Sequence, residues 1–152
     1  MKVYRICSGK WSDDISGNGA RKITSNRWNS YGVPMLYTSE SAALCAVELS
    51  KVYNPYSKIH NYFLIEIQVP DTKQLTIDDS FYKGDWINDI QTSKSLGDYF
   101  ITKNEFLLLK VPSMWIQNCY NYLINPNHKQ FNKVRIINKY PFPFKGELFN
   151  NP

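Results

Sequence analysis

The sequence predicts a single mixed α+β domain over residues 1–152. Three observations carry that reading. Short alternating or continuous apolar runs of strand type occur at both ends and in the middle of the chain. Two segments with helical spacing fall between them, and no repeat, low-complexity tract or Gly/Ser/Pro-rich linker divides the chain. At 152 residues the chain is about the size of one ordinary domain, and such a domain buries roughly 68–70% of its extended-state surface. With 43% apolar residues the material for one core is present, which excludes a disordered chain. The 11 Tyr and 4 Trp predict a core edged with polar contacts, because buried Tyr and Trp need partners for their polar atoms.

Lys2–Cys7 alternates as a first strand, with Val3, Arg5 and Cys7 on one face and Tyr4 and Ile6 on the other. An arginine among apolar neighbours must be paired, enter a site, or sit at an edge with its head in solvent. Residues 8–33, with Ser16-Gly17-Asn18-Gly19, read as a long irregular loop carrying Arg21, Lys22 and Arg27. Loops of that length are uncommon in a compact domain unless they serve function. Met35–Tyr37 reads as a short strand. Thr38 or Ser39 then stands as the N-cap of an apolar helix of about 13 residues, carried by Ala42, Ala43, Ala46, Val47, Leu49 and Val52, that ends before Asn54-Pro55.

Asn61–Val69 puts Phe63, Ile65, Ile67 and Val69 on one face of a strand. Residues 92–103 suit a shorter helix capped by Thr92 or Ser93 and interrupted near Gly97. Phe106–Val111 is a nearly continuous apolar run of internal-strand type, ended by Pro112-Ser113. The second half of 121–128 is turn-forming, and Phe131–Ile137 reads as a last strand with Lys133 and Arg135 on one face, before a Pro- and Phe-rich tail.

The net charge of +5 favours an anionic partner without choosing among nucleic acid, a phosphate-bearing small molecule and an acidic protein. The basic residues are scattered rather than clustered, which argues against a nucleic-acid footprint. Cys7, Cys45 and Cys119 give neither a disulfide framework nor CxxC spacing, and with His60 and His128 far from ligand spacing no metal site is expected. No signal-peptide core or membrane-length apolar run is visible, so a cytoplasmic protein without a membrane partner is the expectation. The phosphate loop, GxGxxG, GxSxG and HExxH patterns are all missing, which leaves nucleotide hydrolases, Rossmann enzymes, serine hydrolases and zincins without support.

What remains is one coherent set: arginines in and beside a long loop, an aromatic-rich first half, and Glu48 inside an apolar helix. Guanidinium forks bind phosphate and aromatic rings stack on bases, a combination suited to a dinucleotide. A carboxylate in such a site suits stabilisation of a sugar cation as a glycosidic bond breaks. Equally, Glu48 can face solvent beside Lys51, and Ser113 can be an ordinary strand-end cap.

The blocks Gly17-Asn18-Gly19-Ala20-Arg21, Arg27-Trp28-Asn29, Gly32-Val33-Pro34, Tyr37-Thr38-Ser39-Glu40-Ser41, Glu48, Val111-Pro112-Ser113 and Asn121-Tyr122-Leu123-Ile124-Asn125-Pro126 occur in an order that resembles the RES domain. That family is named for an arginine, a glutamate and a serine. The resemblance runs from Val3-Tyr4-Arg5 to about Ile137, although Lys22–Asn26 lacks the glycines that often precede the RWN block. It implies a fold related to ADP-ribosyltransferases and a toxin of a type II toxin–antitoxin system. Such a toxin depletes NAD+ by phosphorolysis or hydrolysis of the nicotinamide–ribose bond. By resemblance the name-giving residues are Arg27, Glu48 and Ser113, and Arg5 and Tyr37 match positions lining the NAD+ pocket. NAD+ is then substrate, inorganic phosphate the co-substrate of the phosphorolytic route, and no cofactor is needed. The implied partner is an Xre-type antitoxin, through which alone DNA is met, and a homodimer of the chain within that complex is compatible with it. A mono-ADP-ribosyltransferase acting on a protein is the alternative, and a basic nucleic-acid-binding module the second.

Overall fold

The computed structural model describes residues 1–52, 61–78, 81, 85 and 87–142. The strands are β1 (Lys2–Ser8), β2 (Leu36–Ser39), β3 (Tyr62–Gln68), β4 (Gln74–Thr76), β5 (Leu108–Pro112), β6 (Tyr120–Ile124) and β7 (Arg135–Pro141), with helices α1 (Ala42–Val52) and α2 (Ile90–Lys103). They form one seven-stranded sheet in the order β4-β5-β6-β2-β1-β3-β7, antiparallel at every pairing but the parallel β4–β5 edge. This is the mixed α+β class that the element order predicts. No helix among the described residues is long and apolar enough to cross a membrane. His60, the Asn54-Pro55 helix stop and the tail from 143 onward lie outside the described residues.

Both faces of the sheet are apolar where it is covered. Alternation along β1 sends Val3 and Cys7 into one cluster with Leu36, Ile65, Ile67, Leu108 and Ile124, and puts Tyr4 and Ile6 on the opposite face. The second cluster joins Leu109, Val111 and Leu123 to Phe100 and Ile101 of α2 and to Trp28 and Met35 of the long loop. Because β5 gives Leu108 to the first cluster and Leu109 to the second, its sequence reads as an apolar run broken only at Lys110.

Several local features differ from expectation. Helix α1 has 11 residues and is capped by Ser41, whose Oγ accepts from the Leu44 N–H at 3.1 Å. Thr38 and Ser39 belong to β2, and their hydroxyls donate across the sheet, Thr38 to the Tyr122 carbonyl and Ser39 to Asn121 Oδ1, both at 2.6 Å. Helix α2 starts earlier than predicted, on Asp89, whose carboxylate accepts from the Thr92 N–H at 3.0 Å. It runs unbroken through Gly97. The segment 131–137 opens as a 3₁₀ turn over Phe131–Lys133, closed by Val134 N–H to the Phe131 carbonyl, so only Arg135 onward is strand and Lys133 does not share a strand face with it. Strands β4 and β6 lie in segments to which periodicity assigned nothing.

The loop between β1 and β2 is fastened by side chains. Asn29 is fully buried; its Nδ2 donates to the carbonyls of Ala20, Ser30 and Val33, and its Oδ1 accepts from the Tyr37 hydroxyl at 2.7 Å. That hydroxyl in turn accepts from the Trp28 N–H at 3.1 Å. Helix α2 holds the same segment, with Asp98 accepting from the Ser30 N–H at 2.9 Å and Lys94 donating to the Thr24 carbonyl. Contact is closest at Gly97, where a Cβ would stand 1.7 Å from the Trp28 carbonyl oxygen. The glycine therefore serves close approach of the helix to the loop and breaks nothing.

Two outcomes follow for stability. Gly97→Ala adds helix propensity of about 1 kcal/mol, yet the clash with a backbone atom outweighs it, and net destabilisation of about 2 kcal/mol or more is expected; a variant melting at or above wild type contradicts the packing. Asn29→Ala removes the acceptor of the Tyr37 O–H and the side-chain donor to the Val33 carbonyl, and urea titration should show a loss of about 2–4 kcal/mol. A change under about 0.5 kcal/mol, the size of an ordinary surface substitution, would mean the loop is held elsewhere.

Candidate active site

A cavity of about 460 Å³ opens on the sheet face that carries α1 and α2. Strand register builds its floor. Tyr4, Ser39 and Asn121 pair in one row across β1, β2 and β6, and Tyr37 and Leu123 form the next row. Helix α1 packs on β1 and β2, and Cys45, Glu48 and Leu49, at the i, i+3 and i+4 positions of one helix face, supply a wall. The loop residues Arg27 and Trp28 border the cavity as well.

Glu48 is the centre of a hydrogen-bonded chain. Its Oε1 accepts from Ser113 Oγ at 2.9 Å and from Asn121 Nδ2 at 2.7 Å, and Asn121 Oδ1 accepts from Ser39 Oγ at 2.6 Å. Both donors are neutral and both fall on Oε1; among the described residues Oε2 takes no hydrogen bond. Glu48 makes no ion pair with Lys51, whose ammonium lies over the Trp115 ring instead. Ser113 is buried, and its oxygen does two things at once. It donates to Glu48 and accepts from the backbone N–H groups of Trp115 and Ile116, at 3.1 and 3.3 Å. The strand-end cap and the site residue are thus the same hydroxyl, standing behind the carboxylate.

The remaining predicted residues are placed as follows. Arg27 borders the cavity and takes the Ser93 hydroxyl, at 3.3 Å, and the Ile87 carbonyl among its acceptors. Arg5 also borders the cavity, but alternation turns its side chain to the Val3 and Cys7 face, where Nη1 donates to the Asp14 carbonyl at 2.7 Å and ties the loop to the sheet. Its acceptor is uncharged, so the positive charge is kept. Tyr37 lines the cavity with its hydroxyl held by Asn29; burial raises that hydroxyl far above its ordinary pKa, and it stays a neutral donor at any physiological pH.

Asn121 and Ser39 emerge as further members of the site. Asn121 stands within a quoted sequence block, but its link to Glu48 needs the β2–β6 register, which no local pattern reveals. Cys45 borders the cavity as an unreactive thiol, since burial pushes it up to about 11. His128 is buried and its Nδ1 accepts from the Gln130 N–H, a structural role. Among the described residues no group of three His, Cys, Asp or Glu is placed to hold a metal ion.

Comparison with known proteins places this geometry. The family model described as the RES domain matches residues 2–145. The Prs ADP-ribosylating toxin of Sphingobium sp. (strain YBL2) is 35% identical over 123 residues, covering 77% of this chain and 75% of that protein. Toxin Res of Pseudomonas putida (strain KT2440) is 31% identical over 125 residues, covering 81% and 85%. Among solved structures, a chain of the M. tuberculosis MbcT–MbcA toxin–antitoxin complex superposes with a TM-score of 0.70 at 20% identity, covering 97% of this chain and 85% of that one, a likeness of fold. With a family model spanning nearly its whole length and two relatives above 30% identity, this chain belongs to the RES domain family.

Proposed function

We propose that this protein is the toxin of a toxin–antitoxin pair and consumes NAD+ by breaking the nicotinamide–ribose bond. The observation that carries the reading is the state of Glu48: a carboxylate fixed at one oxygen by two neutral donors, with the other oxygen left for a ligand, in a cavity bordered by Arg5 and Arg27. The relatives named as toxins add support.

In the reaction the C1′–N bond breaks and its electron pair leaves with the ring, so the pyridinium becomes neutral nicotinamide. No general acid is required, because the leaving group departs neutral. Positive charge develops at C1′, and the Glu48 carboxylate stabilises it while Oε2 accepts a ribose hydroxyl. Ser113 and Asn121 hold the carboxylate in place. Arg27 supplies positive charge for the phosphates, and Arg5, turned to the other sheet face, holds the loop that carries Arg27. Tyr37 packs its ring beside the nicotinamide. An oxygen of water or phosphate then bonds to C1′, and water loses a proton to solvent as it does so.

A protein nucleophile in place of water is the second reading, favoured by the name of the Sphingobium relative. Direct binding of nucleic acid has only the net charge behind it. The partner that fits is an Xre-type antitoxin, since the relatives are named as toxins and the structural neighbour is a toxin–antitoxin complex.

Purified protein free of antitoxin should deplete NAD+, and mass spectrometry should show ADP-ribose-1″-phosphate if depletion requires phosphate or ADP-ribose if it does not. Glu48→Gln should lower the rate at least about a hundredfold with little change in melting temperature, and retained turnover removes Glu48 from the role given it. With adenine-labelled NAD+, label in free product supports cleavage, whereas label on a protein band moves the second reading to the front.

A further inference from the structure

One turn beyond Glu48 on α1, Lys51 also borders the cavity, and so does Trp115, in the turn that follows β5. The Lys51 ammonium lies 5.3 Å from the centroid of the Trp115 ring, within cation–π range. Four other lysine–ring pairs occur among the described residues, Lys10 with Trp11, Lys103 with Tyr99, Lys110 with Tyr120 and Lys139 with Phe63, and none of those eight residues borders the cavity. Trp115 keeps 45% of its surface exposed although it is held firmly. Its N–H donates to Ser113 Oγ, the oxygen that donates to Glu48, and its turn is closed by the Ser113 N–H on the Cys119 carbonyl at 2.8 Å. A single hydroxyl therefore joins the backbone of Trp115 to the carboxylate.

We infer that Trp115 and Lys51 form the subsite for the half of the substrate that does not react, a purine base stacked on the open face of the indole with its adjoining phosphate near the Lys51 ammonium. The inference rests on the NAD+ reading above. Cleavage at Glu48 uses only the ribosyl-pyridinium end, and the rest of a dinucleotide offers a second flat π-system and negative charge. An indole is the side chain best suited to stack on the first. A cation is needed for the second, all the more because Glu48 repels phosphate from that wall, and Lys51 places one three residues away on the same helix. Arg27 serves the pyrophosphate from the loop side.

The test compares NAD+ with nicotinamide mononucleotide, which carries the scissile bond but no adenylate, in wild type, Trp115→Ala and Trp115→Phe. Calorimetric titration of each protein with AMP accompanies it. Trp115→Ala should raise KM for NAD+ at least about fivefold with a much smaller change in kcat, and should lose several times more kcat/KM on NAD+ than on the mononucleotide. Trp115→Phe should recover most of the loss, because a phenyl ring still stacks. AMP binding should weaken in Trp115→Ala, and in Lys51→Met should lose part of its salt dependence. Equal losses on the two substrates, or AMP binding indifferent to Trp115, overturn the subsite while leaving NAD+ cleavage standing. If wild type consumes no NAD+, the reaction fails by itself and the titration decides: Trp115-dependent AMP binding upholds the subsite, and its absence ends it.

Discussion

The arrangement depends on how one carboxylate is held without being neutralised. An anion in a partly enclosed site is usually stabilised by a cation, and a Lys or Arg against Glu48 would cancel the charge the site has to offer. Here the donors are a serine hydroxyl and an asparagine amide, which satisfy Oε1 and leave the negative charge in place. They come from the end of β5 and from β6, while Glu48 rides on α1. The bonds thus fix helix to sheet as well as carboxylate to cavity, and anything that shifts the β5–β6 register by one residue would turn Asn121 to the wrong face and undo both.

The long loop obeys a related constraint. It brings Arg27 and Trp28 to the cavity, and a flexible segment of that length would forfeit the entropy gained by presenting them in a fixed place. Three devices remove the flexibility: Asn29 standing in for missing backbone partners, Arg5 tying the Asp14 carbonyl to β1, and Gly97 letting α2 close on Trp28. The charged and polar groups that look functional in the sequence are in part the scaffold of the loop. Tyr37 belongs to both, with its ring on the cavity and its hydroxyl in the loop lock.

How much of this was legible follows from the range of each signal. Strand β3 alternates strongly and helix α1 is a largely apolar run, so both read directly, and Glu48 stands out as a lone carboxylate on an apolar helix. The family resemblance marked Arg27, Glu48 and Ser113. What escaped is long-range or very short. Three residues of β4 give no period, Asn121 matters only through its register with Ser39, and Gly97 looked like a helix interruption because its partner, the Trp28 carbonyl, is 69 positions away. Thr38 and Ser39 resembled caps because their hydroxyls do bond backbone and side chains, though across the sheet instead of along a helix.

Economy of polar groups explains why the site does not undermine the fold. No buried side-chain nitrogen or oxygen among the described residues lacks a partner, so the chain Ser39–Asn121–Glu48–Ser113 carries none of the desolvation cost that half-satisfied networks incur. Each member has one bond facing the fold: Ser39 sits in β2, Asn121 in β6, and Ser113 caps the turn that places Trp115. Among the described residues, Oε2 of Glu48 is the carboxylate oxygen of this network that takes no bond. Under the proposed reaction, a network satisfied everywhere except at Oε2 is preorganised for the charge that develops beside it, because its geometry is set by bonds within the fold.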